Sequence, residues 1–174
     1  VKIRSNDINA SFAIISNAET VWLGAIQKDP QGRKTFFFKD PWQNLVEIIE
    51  DAYTYASTDS PFGGVMGFAV GVSDLSKSQA FYSKVLGYDN ALKIQSDFQD
   101  DFKGLLGSED KISRQILRQT KPGKGGFSAL LGPTELECIC NQSAPVKQIY
   151  KDRFWGDLGY IHACFDVSGM KALR

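Results

Sequence analysis

Apolar and polar positions along the chain alternate between the two periods expected of helices and strands. Asn6 or Asp7 can cap a helix on which Ile8, Phe12 and Ile15 recur at spacings of four and three. Bulky and β-branched residues then predict strands over Thr20 to Ile26, Arg33 to Lys39 and Leu45 to Glu50. Asp29-Pro30-Gln31-Gly32 and Asp40-Pro41-Trp42-Gln43-Asn44 are the turns between them. Val1 to Ser5 precedes the capped helix as the remnant of an opening strand.

Residues 51 to 64, rich in Ser, Thr, Asp and Gly, read as a linker. A clear βα unit follows. Phe68 to Ser73 is a strand, Asp74 an N-cap, and Leu75 to Leu86 a helix with Phe81/Val85 and Tyr82/Leu86 at i, i+4; Gly87 ends it. Strands are predicted around Ala91 to Gln95, Ser113 to Gln119 and Glu135 to Cys140, with a polar excursion from Ser96 to Asp110. The loop Lys121-Pro122-Gly123-Lys124-Gly125-Gly126 lacks the spacing of a phosphate-binding P-loop. With no helix expected after it, it reads as a flexible hairpin loop.

Residues 157 to 167 then alternate as a strand. Ile161, Ala163, Phe165 and Val167 share one face; Tyr160, His162, Cys164 and Asp166 share the other. His162 is the only histidine, and a neutral imidazole is a common metal ligand. The element order is thus a repeat: αβββ, βαβββ and βα. The fold class is α+β. The modules run over 1–50 (lacking most of the first strand), 65–141 (complete) and 157–174 (truncated), with a linker at 51–64 and a connector at 142–156.

Composition narrows the function classes. Twenty Lys and Arg balance twenty Asp and Glu, which argues against a nucleic-acid partner or an anionic membrane held by bulk charge. Cys138, Cys140 and Cys164 are too few and odd in number for a disulfide framework. They read as reduced thiols of a cytoplasmic protein. No apolar run approaches the roughly 18 residues of a membrane span. Trp22, Trp42 and Trp155 read as packing residues.

Three motifs resemble the vicinal oxygen chelate superfamily, which holds glyoxalases, fosfomycin and bleomycin resistance proteins and extradiol dioxygenases. They are Val70-Gly71-Val72-Ser73-Asp74-Leu75 with Phe81-Tyr82 and Leu86-Gly87; Phe38-Lys39-Asp40-Pro41-Trp42-Gln43-Asn44-Leu45-Val46-Glu47-Ile48; and Gly159-Tyr160-Ile161-His162 through Val167. Gln43 stands where the family has glycine. If that position has positive φ, a side chain there costs on the order of 1 kcal/mol.

The resemblance implies cup-shaped, partly open mixed sheets with helices outside, each cup formed by two modules around a divalent metal. Pairing would occur between modules of this chain or across a homodimer. Carried over by position, the metal ligands fall on Glu47, Glu137 and His162, with Glu47 and Glu137 also the catalytic carboxylates; the remaining ligand position falls on Gly67. Gly67, Ala69, Gly71 and Ser73 are all small and are expected to leave volume. By alternation alone, Glu135 and Glu137 face solvent. The ligand types suit Zn, Ni, Co, Mn or Fe. The implied function is a glyoxalase-like lyase or isomerase that acts on a small oxygen-bearing substrate through a chelated enediolate-type intermediate. The alternative is metal-free small-molecule sequestration of the bleomycin-resistance type, which Gly67 and the aromatic residues favour.

Overall fold

The computed structural model describes residues 1–94, 100–105, 109–145, 148, 150–167 and 169–173. Local chemistry sets each element. Lys2–Ser5 forms strand β1, so the expected remnant is a paired strand. Asp7, in extended backbone, accepts from the N–H groups of Asn9 and Ala10 and starts helix α1 (Ile8–Ser16). The strand expected over Thr20 to Ile26 is reduced to β2 (Trp22–Leu23); a second short piece, β3 (Gln27–Lys28), lies just beyond it, and both pair with β4 (Lys34–Lys39). Asp29 Oδ1 accepts from the N–H groups of Gln31 and Arg33 and holds the β3–β4 turn. Strand β5 (Leu45–Glu50) closes the first unit.

Strand β6 spans Phe62–Gly71 and begins inside the expected linker. Gly63 explains the extension: a Cβ there would lie 2.9 Å from the Tyr53 carbonyl oxygen and 3.1 Å from Arg4 Cβ, so only glycine lets β1 approach. Asp74 accepts from Lys77 N–H to cap helix α2 (Leu75–Leu86), and Gly87 ends it at φ 71°. Strands β7 (Asn90–Ile94) and β8 (Ile112–Arg118) follow; Gln95 and the parts 96–99 and 106–108 of the polar excursion lie outside the described residues. After the glycine-rich loop the chain forms a six-residue helix, α3 (Gly126–Leu131), where only a loop was expected. It has no side-chain cap and is too short for periodicity to reveal. Strand β9 is Glu135–Asn141.

The strands form one mixed sheet in the order β2-β4-β5-β1-β6-β9-β8-β7, with β3 beside β4. In each unit the first strand runs parallel to the last, β1 with β5 and β6 with β9, and the units meet through the antiparallel pair β1–β6. The first and second βαβββ units are therefore joined edge to edge within this chain. This is the α+β architecture expected from the repeat.

The helices cover one face. Ile8, Phe12 and Ile15 of α1 pack on Phe36, Val46 and Ile48; Leu75, Tyr82 and Leu86 of α2 pack with Tyr88, Leu117, Leu136 and Cys138. Residues 157–167 form no strand, although Phe165 does pack into the second core against Phe68 and Tyr88. No helix among the described residues is long and apolar enough to cross a membrane.

Candidate functional site

The other face of the sheet carries charge. Alternation puts Lys2 of β1, Glu47 of β5, Arg114 of β8, and Glu135 and Glu137 of β9 on this face, and every one of them is buried. Glu135 and Glu137 therefore do not face solvent. Their burial is made possible by cations from distant parts of the chain.

Lys2 lies at the centre. Its Nζ is 2.7 Å from Glu137 Oε2, 3.0 Å from Glu135 Oε1 and 3.5 Å from Glu47 Oε2. One ammonium thus lies within ion-pair distance of three carboxyl groups. Guanidiniums complete the neutralisation. Arg114 Nε donates to Glu137 Oε1 at 2.6 Å, and its two other nitrogens bind Asp101 bidentately at 2.7 Å each. Arg33 and Arg118 both donate to Glu135, with closest approaches of 3.1 and 2.6 Å.

The site is closed by its own chain. A 3₁₀ turn, Asp100–Phe102, lays the Phe102 ring over the Arg114 guanidinium, 3.8 Å from centroid to Cζ, and edge-on to Phe37. Water is excluded there, which makes the charge balance energetically demanding. Burial alone would lower the Lys2 pKa, but Glu47, Glu137 and Glu135 outweigh it and raise it, so Lys2 stays an ammonium. Burial opposes ionisation of Glu135 as well; Lys2, Arg33 and Arg118 nonetheless hold its pKa down to about 2. Glu137 is likewise held low against burial by Lys2 and Arg114.

Glu47 differs from the other two. Burial pushes its pKa up to about 7; Lys2 pulls it down, and Glu137 and Glu135 add to the rise. Hydrogen bonding agrees. Thr35 Oγ1 lies 3.1 Å from Glu47 Oε1 and 2.8 Å from the Ile48 carbonyl oxygen, yet a hydroxyl has one proton to donate. Both contacts are satisfied together when a protonated Glu47 donates to Thr35 and Thr35 donates to Ile48.

The structure brings Glu47 and Glu137 together around Lys2, with Glu135 beside them. It does not bring His162 to them: the imidazole is exposed and stacked on Trp155 at 4.9 Å between ring centroids. Trp155 and Trp42 are themselves largely exposed rather than packed. Gly67 leaves no volume. A Cβ there would run into the Glu135 carbonyl oxygen, because β9 lies against it.

Among the described residues, no group of three or more His, Cys, Asp or Glu could hold a metal ion. The Glu47, Glu135 and Glu137 cluster does not fit a divalent cation, because Lys2 already supplies a cation at bonding distance to all three. Sequence reading missed Lys2. The one available signal was a lysine on an otherwise strand-like remnant, in register with Glu47 on the parallel strand β5.

No protein-family model and no curated protein matches the chain. Solved structures do align with it. A glyoxalase I from Zea mays is 20% identical, covering 80% of this chain and 41% of its own, at a TM-score of 0.47. The fosfomycin resistance protein FosX from Listeria monocytogenes, complexed with Mn(II) and sulfate ion, is 12% identical, covering 80% and 87%, at 0.25. A glyoxalase family protein from Enterococcus faecalis is 15% identical, covering 79% and 93%, at 0.24. The chain spans about two fifths of the maize enzyme's length.

Proposed function

We propose that the protein is a glyoxalase-like, metal-dependent lyase or isomerase acting on a small oxygen-bearing substrate, whose metal chemistry lies outside residues 1–141. Within those residues the two joined units are a metal-free structural pair. The observation behind this reading is the buried Lys2 ammonium, 2.7 to 3.5 Å from Glu47, Glu135 and Glu137. A lysine there supplies the positive charge that three buried carboxylates require, without open coordination positions for a substrate. Glu47 and Glu137 then serve to hold Lys2. His162, on the motif that resembles a module opening, is the residue proposed to ligate metal.

Metal content of the protein at its full natural length tests this. His162→Ala should lower transition-metal occupancy at least about tenfold, the scale set by losing a ligand, whereas Glu137→Gln should leave it unchanged in any folded preparation. Loss of metal in Glu137→Gln with retention in His162→Ala would overturn the reading. A metal-free full-length protein would favour the sequestration alternative instead.

A further inference from the structure

Outside the buried ion cluster, the line where the two units meet is bordered by a cleft with two lobes. The smaller, about 380 Å³, is lined by Gln31, Arg33, Asp51, Met66, Arg118, Pro133 and Thr134. The larger, about 560 Å³, shares Arg118, Pro133 and Thr134 with it and extends along Tyr53, Ala129 and Lys121. Three donors in the smaller lobe have unused capacity. Gln31 Nε2 is buried with no hydrogen-bond partner among the described residues. Arg33 spends Nε and Nη2 on Asp29 and Glu135, and Arg118 spends Nε and Nη2 on Glu135, so both Nη1 groups lack a protein acceptor among the described residues.

The two guanidiniums flank one carboxylate and line one lobe. An unmet buried amide donor is destabilising, and an acceptor atom in the cleft would relieve it. Asp51 is the one acidic group lining either lobe, and it is engaged: its Oδ1 accepts from Tyr53 N–H at 2.8 Å and sits 3.5 Å from Arg4 Nε. The larger lobe adds a ring and apolar atoms. Tyr53 lies against Gly132, its hydroxyl donating to the Ala129 carbonyl, and presents an ordered aromatic wall.

We propose that this cleft binds a small organic anion, its oxyanion head on Gln31, Arg33 and Arg118 and its apolar body along Tyr53 and Pro133. Arg118, common to both lobes, joins the two halves of such a ligand, and Lys121 adds positive charge at the wider end. The inference does not depend on where the protein keeps its metal. It is tested with phenyl phosphate, benzoate and inorganic phosphate as probes on the full chain, by calorimetric titration and thermal shift in low-salt buffer. At least one of the two organic anions should bind saturably and raise the melting temperature. Its affinity should fall about tenfold or more in Arg118→Gln and in Gln31→Met, the latter removing the donor at nearly constant volume. Inorganic phosphate should bind at least several-fold more weakly than phenyl phosphate. Three results would each overturn the proposal: neither organic anion saturating by about 10 mM, unchanged affinity in both folded variants, or inorganic phosphate binding as tightly as phenyl phosphate.

Discussion

Replacing Lys2 with methionine keeps most of the length of the side chain and removes its charge, so the substitution tests the ammonium. Glu47, Glu135 and Glu137 would then share Arg33, Arg114 and Arg118, and Glu47 would have no cation in contact among the described residues. Removing one partner of a buried ion pair costs roughly 3–5 kcal/mol, because the remaining charge is left uncompensated in a poorly solvated site. Part of that cost can be relieved by a proton. Glu47 already titrates near 7, and losing Lys2 removes what pulls it down, so its pKa rises further in the variant. Between the unfolded carboxylate value and the raised folded value, each unit of pH changes stability by about 1.4 kcal/mol per proton. Urea denaturation followed by tryptophan fluorescence should therefore give a deficit of about 3 kcal/mol or more at pH 8 that shrinks as pH falls toward about 7, below which Glu47 is protonated in both folded proteins. A deficit under about 1 kcal/mol, or one independent of pH across this range, would refute the argument that Lys2 neutralises buried carboxylates.

The same site governs the wild-type pH profile. Glu47 has a folded pKa above its unfolded one, so its contribution is fully present below about 4.5 and lost as pH rises through about 7. Glu47→Gln should abolish that loss, read from urea midpoints between pH 5 and 8. Glu135 has the opposite sign: its stabilisation is present above about 4.5 and lost as pH falls through about 2, so the acid loss of stability, read from urea midpoints, should be smaller in a Glu135→Gln variant that folds. Gln43 adopts φ 70°, a left-handed conformation that favours glycine, so Gln43→Gly should raise thermal stability by up to about 1 kcal/mol. Gly67→Ala should cost about 3 kcal/mol or prevent folding, since its Cβ would meet the β9 backbone; a melting temperature within a degree or two of wild type would contradict that packing.

Elements defined by neighbours in sequence were legible. Asp74 and Gly87 bracket α2 at its expected bounds, and Leu45–Glu50 is a strand at the expected positions, because caps, turns and alternation act over a few residues. The order of the main elements in residues 1–141 followed from the same signals, whereas the strand expected over 157–167 to open a third module does not form. What could not be read depends on residues far apart in the chain. Alternation assigned Glu135 and Glu137 to solvent because their neutralising lysine is 133 and 135 positions earlier, and Lys2 on its own is an ordinary strand lysine. The gap expected at Gly67 is filled by the backbone of β9, an event of strand pairing that no side-chain pattern reports. In residues 157–167 Phe165 alone of the face expected to pack reaches a core, while Ala163 and Val167 are exposed. A strand, however, needs a partner, and none pairs with this stretch among the described residues.

The central claim is that a lysine, not a metal, is the cation at the junction of the two units. Elemental analysis of residues 1–174, purified from medium supplemented with Zn, Ni, Co, Mn and Fe, tests it directly. Whatever content of these metals the protein holds is expected to be unchanged in Glu137→Gln, because the three carboxylates are already neutralised. About one equivalent, lost on Glu137→Gln, would contradict it.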